Sequence, residues 1–116
     1  MNFNRVILGG NLTRDPQVKY TQNNIAICDF GVAINRKFKD RDEVTFIDVT
    51  AFDKIAETIA KHLAKGQTIL IEGRLKFDVW DDKNGGGRRT RLTVICERFE
   101  FAGAPTNSDK KAEIPL

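Results

Sequence analysis

Four aromatic rings in this 116-residue chain stand among charges instead of among apolar neighbours. Phe38 sits inside the run Arg36-Lys37-Phe38-Lys39, with nothing apolar beside it. Side chains alternate between the two faces of a strand, so in TFIDVTAF the residues Phe46, Asp48, Thr50 and Phe52 share one face and Ile47, Val49 and Ala51 the other. The same alternation puts Trp80, the only tryptophan, on a face with Glu72, Arg74, Lys76 and Asp78, while Ile69, Ile71, Gly73, Leu75, Phe77 and Val79 take the opposite one. A polar face carrying large rings suits the binding of a single nucleic-acid strand, because rings stack on bases while cations track phosphates. Stacking contributes ~1–3 kcal/mol per base, so four platforms would supply roughly 4–12 kcal/mol gross. The cations are Arg36, Lys37, Lys39 and Arg41 in one run, Arg88, Arg89 and Arg91 in a second, and Arg74, Lys76 and Lys54 between them. One ring alone is equally well read as core, and one basic run as a solvated loop. Their coincidence is what points to a function.

Other chemistries find little support. The net charge of +3, from 19 Lys and Arg against 16 Asp and Glu, permits a polyanionic partner without naming one. Cys28 and Cys96 are far apart inside apolar runs, and His62 is the only histidine, so no metal-ligand spacing exists and both cysteines read as small core residues. No metal or cofactor is expected. The glycine-rich segment Asn84-Gly85-Gly86-Gly87 lacks the lysine and the strand-to-helix context of a phosphate-binding loop. Asp78, Asp81 and Asp82 could suggest a metal-dependent nuclease, but acidic residues at a strand end are usually solvated turn residues, so a non-enzymatic protein is expected. No apolar run approaches the ~20 residues of a membrane span, and the opening MNFNRVILGGN is too short in apolar residues for a signal peptide. The expected place is an intracellular, reducing compartment, the cytoplasm.

Regular hydrophobic patterning predicts strands over residues 3–12, 18–34, 44–52, 67–81 and 88–101. Gly9 and Gly10 suggest a bulge or bend in the first, and Gln22-Asn23-Asn24 breaks the second. Residues 35–43 read as a charged loop and DKNGGG as a hairpin connection. One amphipathic helix is predicted after Asp53 as N-cap, with Ile55, Ile59 and Leu63 on its apolar face and Gly66 at its end. Five strands with a helix between the third and fourth is the arrangement of an OB-fold, a small all-β Greek-key barrel, with a swapped-order barrel or an open five-stranded sheet as the alternatives. The expected domain covers residues 1–103, followed by a flexible tail over 104–116.

Several segments together resemble the bacterial single-stranded DNA-binding protein family. They are NRVILGGNLTRDPQVKY with Tyr20, the stretch TFIDVTAFDKIAETIAKHLAKGQTILIEGRL, and Trp80 ahead of an acidic turn. The resemblance implies an OB barrel, usually a homotetramer, that coats single-stranded DNA in replication, recombination and repair. It assigns stacking to Phe38, Phe46, Phe52 and Trp80, and backbone contacts to Lys19 and Lys54. Phe38 and Phe46 stand where many relatives have tryptophan. Relatives often end in an acidic tip finishing in Ile-Pro-Phe, and this sequence finishes Glu113-Ile114-Pro115-Leu116, a candidate docking segment for replication and repair proteins. Two other readings use the same fold: a primosome-type adaptor that touches DNA weakly, and an RNA-binding module.

Overall fold

The computed structural model describes residues 1–102, so the expected tail and its residues Glu113, Ile114, Pro115 and Leu116 lie outside the described residues. Alternation of apolar residues sets the frame. Strands β1 (Val6–Leu12), β2 (Gln17–Tyr20), β3 (Ala26–Phe38), β4 (Arg41–Phe52), β5 (Thr68–Asp81) and β6 (Arg88–Ala102) form one sheet, with a helix, α1 (Asp53–His62), between β4 and β5. The order is β1-β5-β6-β4-β3-β2, and a further pairing of β1 with β3 closes β1, β5, β6, β4 and β3 into a five-stranded barrel. β2 is a short flap on β3. This is the expected OB architecture, and closure leaves few free strand edges.

The interior is built from alternate residues of each strand. Cys28, Phe30 and Val32 of β3, Val49 and Ala51 of β4, Ile69 and Ile71 of β5, and Val94 and Cys96 of β6 are buried against Leu12 and against Ala56, Ile59 and Leu63 at α1. Each large apolar side chain buried this way contributes about 1.5–3 kcal/mol. Tyr20 donates its hydroxyl to Glu57 at 2.9 Å, which ties β2 to the helix. Both cysteines are free and buried, and desolvation pushes each thiol up to about 11, so neither is a nucleophile at neutral pH.

Several local expectations are corrected. β1 starts at Val6 and stays in unbroken register with β5 from Val6 opposite Gly73 to Asn11 opposite Thr68, so Gly9 and Gly10 make no bulge. Gly10 instead allows close approach, since a Cβ there would overlap the Ala33 carbonyl oxygen where β1 meets β3. The irregularity falls between Glu72 and Gly73 in the β5–β6 pairing. Residues 35–43 are mostly strand: pairing continues to Phe38 opposite Arg41, and only Lys39 and Asp40 turn the chain. Charged side chains conceal this hairpin in the sequence, because solvated ribbons carry no hydrophobic alternation. Asp53 is the first helical residue, not the cap, and enters at φ +57°, a region Asp tolerates better than most residues. Phe52 is the N-cap, without a side-chain bond. The helix stops at His62, and Gly66, at φ +89°, turns the chain toward β5.

Candidate nucleic-acid interface

Register decides which predicted residues meet. Directly paired residues of antiparallel strands share a face. Outside the barrel, β3 presents Ile27, Asp29, Gly31 and Ala33, opposite Phe52, Thr50, Asp48 and Phe46 of β4 respectively. β4 lies parallel to β6, with Thr50 beside Ile95, and Ile95 is opposite Arg74 of β5. Along that same face of β5 follow Lys76, Asp78 and Trp80, opposite Thr93, Arg91 and Arg89. An ion pair between Arg91 and Asp48 at 3.9 Å spans β6 and β4 and confirms that the surface is continuous. Phe46, Phe52 and Trp80 therefore share one outer sheet face, as parity predicts. They are 71%, 38% and 48% exposed, large areas for rings with a buried alternative.

Phe38 is different. It is in register with Arg41 and shares its side of the ribbon with Arg36, Ile34 and Val32, the parity that points inward within the barrel. The β3–β4 hairpin has left the barrel by then, so the ring is 42% exposed, with the Arg36 guanidinium 5.8 Å from its centroid. An Arg over a ring holds a cation and a stacking platform together. A similar exit occurs in the β5–β6 hairpin. Leu75, Phe77 and Val79 keep the inward parity of Ile69 and Ile71, yet with Leu92 opposite Phe77 they stay exposed, Phe77 at 61%. Alternation cannot reveal this, because the pattern is unchanged where the barrel ends.

Four of the eleven predicted cations are engaged with carboxylates: Arg74 with Glu97 at 3.2 Å, Lys76 with Asp78, Arg89 with Asp82 at 3.3 Å, and Arg91 with Asp48. All four pairs are partly exposed, where such pairs contribute only about 0–1 kcal/mol, so an incoming phosphate can compete for each cation. Lys19, Arg36, Lys37, Lys39, Arg41, Lys54 and Arg88 make no ion pair among the described residues. Lys19 is opposite Ile27, which is opposite Phe52, so this cation lies two strands from a ring, about 10 Å at the usual strand spacing. Lys54 follows Phe52 in the first turn of α1. Thr50 donates to Asp29 at 2.6 Å, which occupies the polar centre between the rings. One cation that the sequence reading passes over, Arg14, also lies over this face beside Gly31. No local sequence pattern signals it, because its position depends on Gly31, which lies on another strand.

A closed barrel whose outer face carries rings among cations defines a class: OB-type proteins that can hold an extended strand across the sheet. The comparisons sharpen this. The model of the single-strand binding protein family matches residues 3–102, and the chain belongs to that family. It is 40% identical to a single-stranded DNA-binding protein of Helicobacter hepaticus over 113 residues, covering 93% of this chain and 66% of that one. It is 42% identical to its counterpart in Wolinella succinogenes over 104 residues, covering 85% of this chain and 64% of the relative. A single-stranded DNA-binding protein 1 of Synechocystis is 34% identical over 105 residues, with 90% and 87% covered. The chain thus spans just under two thirds of the first two relatives. Among the described residues no cluster of three His, Cys, Asp or Glu side chains could hold a metal ion, and no helix is long and apolar enough to cross a membrane.

Proposed function

We propose that the chain binds single-stranded DNA without sequence preference, as a non-enzymatic coat that protects unpaired strands in replication, recombination and repair in the cytoplasm. The observation that carries this reading is the continuous outer face bearing Phe46, Phe52 and Trp80, with unpaired cations at its margins. Membership of the single-strand binding family and the names of its relatives support it. Phe38 adds a stacking platform at the tip of the β3–β4 hairpin. Arg36, Lys37, Lys39 and Arg41 on that hairpin, Arg88, Arg89 and Arg91 on β6, Arg74 and Lys76 on β5, and Lys19 and Lys54 meet phosphates. The binding domain comprises residues 1–103. Glu113, Ile114, Pro115 and Leu116 dock replication and repair proteins.

Titration with poly(dT) tests the central claim, because Trp80 is the sole tryptophan and lies on the proposed track. Its emission is expected to quench at low salt, and log affinity to fall linearly with log salt, at about 0.7 per phosphate neutralised. No quenching and no salt dependence would reject it. An adaptor that touches DNA weakly would show modest affinity and little loss on Trp80→Ala.

An unfinished edge supports self-association, and the family resemblance gives the tetramer as its form. β1 pairs with β5 along Val6–Asn11 but with β3 only at Asn11 and Leu12, so among the described residues one side of its first half has no strand partner. Beside that edge Ile7 and Leu70 are exposed and line a groove of about 180 Å³ with Phe99, Glu72, Arg98 and Glu100. An open edge flanked by apolar surface is a self-complementary template. Sedimentation should give the mass of four chains, and Ile7→Lys should shift it to smaller species. A wild-type monomer at micromolar concentration would overturn the assembly.

A further inference from the structure

We propose that Arg14 is a phosphate-contact residue for single-stranded DNA, seated on the outer sheet face by the absence of a side chain at Gly31. The proposal rests on the DNA-binding reading above and extends it to a residue of the β1–β2 connection. The Thr13 N–H donates to the Gly31 carbonyl at 3.0 Å, which draws this connection across β3. Gly31 is buried although it has the outward parity of Asp29 and Ala33, because two side chains lie on top of it. A Cβ at Gly31 would come within 2.5 Å of Thr13 Oγ1 and 3.1 Å of Arg14 Nη1. The space that any other residue would fill is thus taken by the hydroxyl and the guanidinium.

The seat places the guanidinium where a strand needs it. Phe46 and Phe52 are six residues apart on β4, about 20 Å, with Asp48 and Thr50 between them. Gly31 is opposite Asp48, near the midpoint of that span. Arg91 on β6 already faces Asp48 from one side and Arg14 lies over Gly31 on the other, so phosphates running from ring to ring would meet a cation on each flank of that carboxylate. Arg14 makes no ion pair or side-chain hydrogen bond among the described residues, and the neighbouring carboxylates have other partners. Asp15 accepts the Lys65 N–H at 2.7 Å, Asp29 accepts the Thr50 hydroxyl, and Asp48 pairs with Arg91. Arg14 also lines an open pocket of about 420 Å³ with Asp15, Gln17, Lys19, Ile27 and Asp29, and Ile27 is opposite Phe52 in the β3–β4 register. A planar donor fork already resting on backbone loses less freedom on meeting a phosphate than a free lysine does. Gly31 acts through Arg14 and is a positioning residue.

The test is poly(dT) titration of the full chain, followed by Trp80 emission across a salt series. Arg14→Ala should weaken binding by about three- to tenfold at low salt and make the log affinity against log salt slope shallower by about 0.7, the share of one phosphate. Arg14→Lys, which keeps the charge, should retain the slope. Gly31→Ala should weaken binding in the same sense, and adding it to Arg14→Ala should bring no further loss. Lys61→Ala, at the far end of α1, should leave the slope unchanged. If Arg14→Ala keeps the wild-type slope while the wild-type protein still quenches, this proposal fails and the DNA-binding reading stands. If the wild-type protein does not quench, both fail.

Discussion

Removing the Phe46 and Trp80 rings together should reduce affinity for poly(dT) by about 30-fold to about 10⁴-fold, the sum of two stacking losses of ~1–3 kcal/mol each. The two rings lie on β4 and β5 with β6 between them, so they share no neighbour and their effects should nearly add. Both are well exposed in the free protein, so Phe46→Ala and Trp80→Ala should leave the melting temperature almost unchanged. The salt slope should also stay close to wild type, because stacking releases no counterions. With Trp80 gone, the titration needs a labelled oligonucleotide read by anisotropy. Affinity within threefold of wild type would mean that the strand does not lie on this face. Loss of folding would mean that the rings belong to the barrel's packing, and the urea transition of the same variant separates the two outcomes.

A second large effect falls on stability. Gly73 is buried where the β5–β6 register shifts, and a Cβ there would overlap the carbonyl oxygen of Ile95 and crowd Cys96. These are backbone atoms of a paired strand, which cannot swing aside as a side chain can. Gly73→Ala should therefore reach at least the upper part of the ~1–3 kcal/mol range for overpacking. For a domain of this size that lowers the melting temperature by roughly 10–20 °C, measured at fixed protein concentration because assembly would shift it too. Gly9→Ala is the contrast: its Cβ would meet only Leu70 Cδ1 at 3.6 Å, an ordinary contact. Its urea midpoint should match wild type or exceed it slightly. Equal midpoints for both variants would show that β6 can shift at the bulge.

The faces of Phe46, Phe52 and Trp80 were legible because β4 and β5 keep unbroken alternation, and polar residues between the rings mark the outside. Phe38 was legible as a ring among cations but not in its placement. That depends on a pairing, Phe38 opposite Arg41, between residues that carry no hydrophobic pattern. The exposure of Leu75, Phe77 and Val79 was hidden for the opposite reason, since their alternation is that of a core strand and only the end of the barrel decides what covers them. Arg14 was illegible altogether. Its position is set by a glycine seventeen residues away and on another strand, a relation that no local pattern encodes. The capping role read for Asp53 failed because its backbone turns to a positive φ and joins the helix.

The seam between β1 and β3 also orders the barrel in time. The β3–β4 turn spans two residues and the β5–β6 connection six, so both hairpins close over short loops at little entropic cost. The seam, Asn11 with Ala33 and Leu12 with Val32, must instead join segments about twenty residues apart, and β1 must also find β5 some sixty residues on. Local pairing thus favours the ribbons that carry Phe38, Phe46 and Trp80 early, and leaves the β1 edge until late. The edge proposed above for self-association is therefore the last part of the barrel to be placed, and it stays open longest in a nascent chain.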